Sequence, residues 1–201
     1  MTVHPDEHYT SYVLRLEAEL PAGAEARALE WWSAAFDEVT NDLSEDQEVG
    51  KATVARVRFV RVHGLIWGPA IIETLDEESQ EHYEVGEALF AGLDEDEFED
   101  LRELRSSLAI VESIEATEPE HGAAAMRALG RTLDDSMFVL APGMLPWVEA
   151  GGEPIDDELR IRRLTKAYLR GGFAPHRASS ELMILAHAEH LARLEHEQHS
   201  S

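Results

Sequence analysis

The chain of 201 residues contains no cysteine. That excludes a disulfide framework, thiolate catalysis and cysteine-ligated zinc, and it suits a reducing compartment. Long hydrophobic runs are missing as well. The longest, such as LMILA, fall far short of the roughly 20 apolar residues needed to span a bilayer. The opening MTVHPDEHYT has neither the basic stretch nor the apolar core of a signal peptide. A soluble, cytoplasmic protein is expected. Basic side chains are scarce: 17 Lys and Arg stand against 41 Asp and Glu, a formal net charge of −24. Residues 1–152 carry −23 of it and residues 153–201 only −1. Such a field repels nucleic acid and anionic membrane, and attracts a basic protein or a cationic substrate. The plainer reading is a well-solvated acidic surface. No Gly-x-Ser-x-Gly elbow, Walker loop, HExxH or EF-hand pattern occurs.

What is present reads as mixed strand and helix. Tyr12, Leu14, Leu16, Ala18 and Leu20 alternate with polar neighbours and predict a half-buried first strand. Leu29, Trp32, Phe36, Val39 and Leu43 recur at helical spacing and predict an amphipathic helix, with Trp32 in the core. TVARVRFVRVHGLIW is rich in β-branched residues and predicts a strand. A helix is expected from Asp76, its N-cap, to Leu93, weakened by Gly86, and a second, acidic one over DEDEFEDLRELRSS. LAIVESIEA is the next strand and HGAAAMRALGRTL the next helix. SMFVLAP is a strand apolar enough to be buried on both faces. After a Gly/Pro-rich loop, ELRIRRLTKAYLRGG is a helix stopped by its double glycine. FAPH and ELMILAH close the sheet. The whole chain, 1–201, is expected to form one α+β domain, with a helical insertion over about 76–105 and a loosely held tail over about 188–201. His187, His190, His196 and His199 do not share a helix face in that tail, so no metal site is expected there.

Three pieces fall in a recognisable order. A strand ends in IVESIEATEPEH, the helix AAAMRALGRTL leads to MFVLAP, and a helix ending AYLRGGF precedes the last strands. Over Leu108–Leu185 this resembles the GCN5-related N-acetyltransferase superfamily, whose fold is a mixed, splayed β-sheet flanked by helices. The apolar-acidic run before the turn and the Tyr168–Gly172–Phe173 spacing carry the likeness. The diagnostic Arg/Gln-x-x-Gly-x-Gly/Ala loop is degenerate: Pro119, Glu120 and His121 run straight into Gly122, and the loop's arginine is missing.

The resemblance implies an acyl-CoA, such as acetyl-CoA, as co-substrate. It makes Tyr168 a general acid for the departing thiolate; the alternative is a packed helix tyrosine. It makes Glu112 or Glu115 the base. Strict alternation puts these two on opposite faces unless a bulge intervenes. Ile114 and Ala116 match positions flanking the acyl and pantetheine arm. Gly122, Ala123 and Ala124 match the start of the phosphate-binding helix, where small side chains allow close approach. Glu118 and Glu120 beside that site each oppose a diphosphate by about 1–3 kcal/mol. Two functions follow: an N-acyltransferase acting on a cationic amine, or a non-catalytic descendant that engages a basic protein through its acidic surface. Many relatives are homodimers.

Overall fold

The computed structural model describes residues 8–19, 29–42, 47–63, 69–91, 106–143, 156–176 and 179–185. Among the described residues there are seven strands: β1 (His8–Glu19), β2 (Leu29–Asp42), β3 (Gln47–His63), β4 (Ser107–Ala116), β5 (Ser136–Leu140), β6 (Phe173–Pro175) and β7 (Met183–Leu185). Among the same residues four helices accompany them: α1 (Pro69–Glu78), α2 (Gln80–Phe90), α3 (Pro119–Thr132) and α4 (Asp157–Arg170). The strands form one sheet in the order β1-β2-β3-β4-β5-β7-β6. Every neighbouring pair is antiparallel except β4 and β5, which α3 joins as a parallel crossover. The fold is α+β.

Each face of the sheet packs against its own pair of helices. On one face Met126 and Leu129 of α3, with Leu164 and Tyr168 of α4, meet Val57, Phe59, Val111 and Phe138. On the other, Ile71 and Leu75 of α1 and Val85 and Leu89 of α2 meet Val60, Val62, Leu108, Ile110 and Val139. β5 lies under both layers and all five of its residues are buried, which explains its unbroken apolar run. α4 stops where expected. The Gly171 N–H bonds the Ala167 carbonyl at 3.2 Å, and Gly172 takes a left-handed φ of 94° that a side chain would resist.

Two expectations are corrected. Residues 29–42 are strand β2, not a helix, paired with β1 along one edge and β3 along the other. Its apolar residues lie on both faces: Trp32, Ala34 and Phe36 pack toward α3 and α4, while Leu29 and Trp31 pack toward α1 and α2. The union of two period-two rows imitated a helical stripe. The helix expected from Asp76 to Leu93 is instead two. α1 begins at Pro69, and Ser79, not Asp76, caps α2 by accepting from the His82 N–H at 3.1 Å. Gly86 lies where the two helices touch: a Cβ there would stand 2.7 Å from Leu75 Cδ1. The acidic helix expected over 94–107 lies mostly outside the described residues, as does the tail over 188–201.

Candidate functional site

β4 and β5 form a fork. They pair only from Ser107↔Ser136 to Ile110↔Val139, although β4 continues to Ala116. Beyond Ile110, the backbone groups of β4 that point away from β3 have no described strand opposite them. Polar side chains pin the closed end. Arg61 donates from Nε to Ser107 Oγ at 3.0 Å and from Nη2 to Asp135 Oδ2 at 2.9 Å, and the hydroxyls of Ser107 and Ser136 bond at 2.7 Å. Ser106 Oγ also donates to Asp135.

A β-bulge sits just past the fork. Arg58 faces Ser113 and Phe59 faces Val111, which leaves Glu112 as the extra residue of β4. The bulge reverses the alternation that would have set the two candidate carboxylates on opposite faces. Ile110 packs toward α1 and α2, and Ile114 packs toward α3 and α4. Glu112 nevertheless meets His82 of α2, and Glu115 faces away from Ile114, so both stand on the α1–α2 side.

Glu112 is in a polar chain that the sequence did not announce. Ser79 Oγ lies 3.0 Å from His82 Nδ1, and His82 Nε2 lies 3.5 Å from Glu112 Oε1. With Ser79 donating to Nδ1, the ring proton on Nε2 points at the carboxylate. His82 beside it holds the Glu112 carboxyl below its ordinary range, against the opposing pull of burial. A pocket of about 140 Å³ opens here, lined by Glu81, His82 and Val85 of α2 and by Ile110, Glu112 and Ala141. The Ser-x-x-His spacing is a local capping signal; the reach from His82 to Glu112 crosses 30 positions and has none.

The remaining candidates lie on the other face. Tyr168 is buried, its ring edge-on to Phe173 at 5.8 Å, and burial pushes its phenol up, so it stays protonated. Gly122 and Ala123 are buried, Ala124 and Ile114 are half-buried and Ala116 is exposed. A Cβ on Gly122 would stand 3.4 Å from Ala116 Cβ and 3.5 Å from Ile114 Cγ2, so α3 packs closely on the end of β4 at this point. The structure thus gathers Tyr168, Ile114, Gly122, Ala123 and Ala124 on one side of the fork and Glu112 and Glu115 on the other.

The start of α3 has few donors to offer. Pro119 has no N–H, and those of His121 and Gly122 donate to the Glu118 carbonyl at 3.1 and 3.4 Å. Glu120 is the remaining first-turn residue with an N–H, and its own carboxylate is beside it. The helix terminus therefore does not fit a diphosphate well.

α1 and α2 carry seven carboxylates, at 73, 76, 77, 78, 81, 84 and 87, all exposed, and no Lys or Arg over residues 69–90. Searches of family models, curated proteins and solved structures found no match for the chain.

Proposed function

We propose that the chain is a divergent protein of the GCN5-related N-acetyltransferase fold that transfers an acyl group from an acyl-CoA thioester to a cationic amine. One observation carries the reading: a bulge at the mouth of a parallel fork that presents Glu112 and His82 to a small acidic pocket. An ammonium group is attracted to the Glu81 and Glu112 carboxylates there. The His82–Glu112 pair accepts its proton, directly or through water, and the free amine attacks the thioester carbonyl. The C–N bond forms, the C–S bond breaks, Tyr168, neutral and on the other side of the fork, gives its proton to the thiolate, and the nitrogen's second proton leaves through water and restores the phenol. The open edge of β4 beyond Ile110 supplies backbone N–H groups for the carbonyl oxygen. The fit to the donor is divided. The fork suits the thioester arm, while the α3 terminus offers the diphosphate little.

That shortage favours a second reading, a non-catalytic module of the same fold that engages a basic protein through the acidic α1–α2 layer. The two separate in a melting experiment. The transferase gains Tm with millimolar acetyl-CoA or CoA, by mass action on the native state. No shift with either, together with salt-sensitive retention of a basic protein, overturns the transferase and leaves the module.

A further inference from the structure

The far half of the α1–α2 face, where no described helix covers the sheet, breaks the acidic pattern of the chain. The register sets its side chains in rows. Arg15, Ala35 and Arg56 lie abreast on β1, β2 and β3, and Glu17, Ser33 and Arg58 lie abreast in the next row. The small residues Ala35 and Ser33 make a floor between taller walls, and a cleft of about 320 Å³ opens above it. At its β4 side the cleft is closed by Ser113 and Glu115.

Residues 1–152 hold ten Lys and Arg among 33 acidic side chains. Four of those ten, Arg15, Lys51, Arg56 and Arg58, stand on this one face. Arg15 is fixed at the rim, because the fully buried Asp37 carboxylate binds it through both Nε and Nη2. Arg56 and Arg58 are exposed and form no ion pair among the described residues, although carboxylates are abundant nearby. Arg15 and Arg56 thus face each other across an alanine, Arg15 paired with Asp37 and Arg56 in no ion pair among the described residues. Their strands are separated by two sheet spacings, about 10 Å, which lets both side chains reach one oxyanion placed over Ala35.

We infer that this cleft binds an oxyanion, the carboxylate or phosphate group of a small ligand, between Arg15, Arg56 and Arg58 with the Ser33 hydroxyl below. Glu17 and Glu115 at the rim turn away extended polyanions such as nucleic acid. The cleft shares Ser113 and Glu115 with the free arm of β4, but the inference does not rest on acyl transfer.

The test is a titration of the full chain with inorganic phosphate and, separately, with acetate, at constant ionic strength, following the backbone amide signals of Ser33, Ala35, Arg56 and Arg58. Saturable shifts confined to these positions are expected with at least one probe. Phosphate alone identifies a phosphate ligand, and a response to acetate admits a carboxylate. The doubly substituted R56Q/R58Q protein should bind roughly tenfold or more weakly. Ala35→Leu keeps every charge but fills the floor and should abolish saturation. Arg163→Gln, which removes a cation from α4 on the opposite face, should bind as the parent does. Shifts that never saturate with either probe, or an Ala35→Leu protein that binds like the parent, overturn the inference.

Discussion

Arg15 meets Asp37 side-on, Nε donating to Oδ2 at 2.7 Å and Nη2 to Oδ1 at 3.3 Å, and Thr53 Oγ1 donates to the same carboxylate at 2.7 Å. Lys51 Nζ is 3.4 Å away, and the Asp37 side chain has no exposed surface. The Arg15 guanidinium, followed by the Thr53 hydroxyl, holds the Asp37 carboxyl down to about 2, against its burial. A depressed carboxyl adds stability that is fully present above its unfolded value, about 4, and lost as pH falls through the folded value. Acid unfolding should therefore show an Asp37 contribution disappearing between about pH 4 and 2. In Asp37→Asn that contribution vanishes and stability at neutral pH drops by about 2–3 kcal/mol, measured by urea unfolding.

Two glycines should respond to alanine in opposite senses. At Gly122 a methyl group meets Ala116 and Ile114 at ordinary contact distance, so Gly122→Ala should stabilise α3 by about 0.5–1 kcal/mol. At Gly86 the methyl group would press to 2.7 Å against the fully buried Leu75, so Gly86→Ala should destabilise by about 1 kcal/mol or more. Thermal unfolding of both variants decides it. A stable Gly122→Ala protein with undiminished CoA-dependent Tm shift would also place the diphosphate away from Gly122.

Tyr168 separates packing from chemistry. Tyr168→Phe keeps the ring against Phe173 and should change stability little, while lowering acyl transfer in kcat more than in KM. Tyr168→Ala removes a core aromatic and should cost about 3–5 kcal/mol. Equal transfer rates in the parent and the phenylalanine variant would remove Tyr168 from the reaction.

Ser79→Ala deletes the α2 cap and the hydrogen bond to His82 together. A loss of about 1 kcal/mol is expected, and Ser79→Asp should restore most of it by capping the same N–H groups. If the His82–Glu112 pair takes up the substrate proton, Ser79→Ala should also shift the pH profile of transfer, which a cap alone would not.

The second half of the fold was legible in the sequence because its signals are local. Turn residues at Thr117–Pro119 and Gly171–Gly172 bracket helices whose apolar positions repeat cleanly, and the all-apolar SMFVL declares a strand covered on both faces. β2 was illegible for the converse reason. Its identity depends on pairing with β1 and β3, and its two inward rows, Trp32 to Phe36 and Leu29 to Trp31, add up to a false helical spacing. The site divides the same way. Glu112, Glu115 and Tyr168 were candidates through the resemblance, whereas His82, Arg61 and the arginine rows have partners dozens of positions away that only register brings near.

The fork makes the sheet a lever. β1–β4 and the β5-β7-β6 block share one strand-to-strand joint, four residue pairs long, and Arg61 rivets it at one end. Six residues of β4 project past the last pair, a span of about 20 Å. A rotation of about 5° at the joint moves the tip by nearly 2 Å over that arm. Any change of angle at that joint is therefore magnified beside Glu112, and an Arg61→Ala protein is expected to show it there rather than at the closed end.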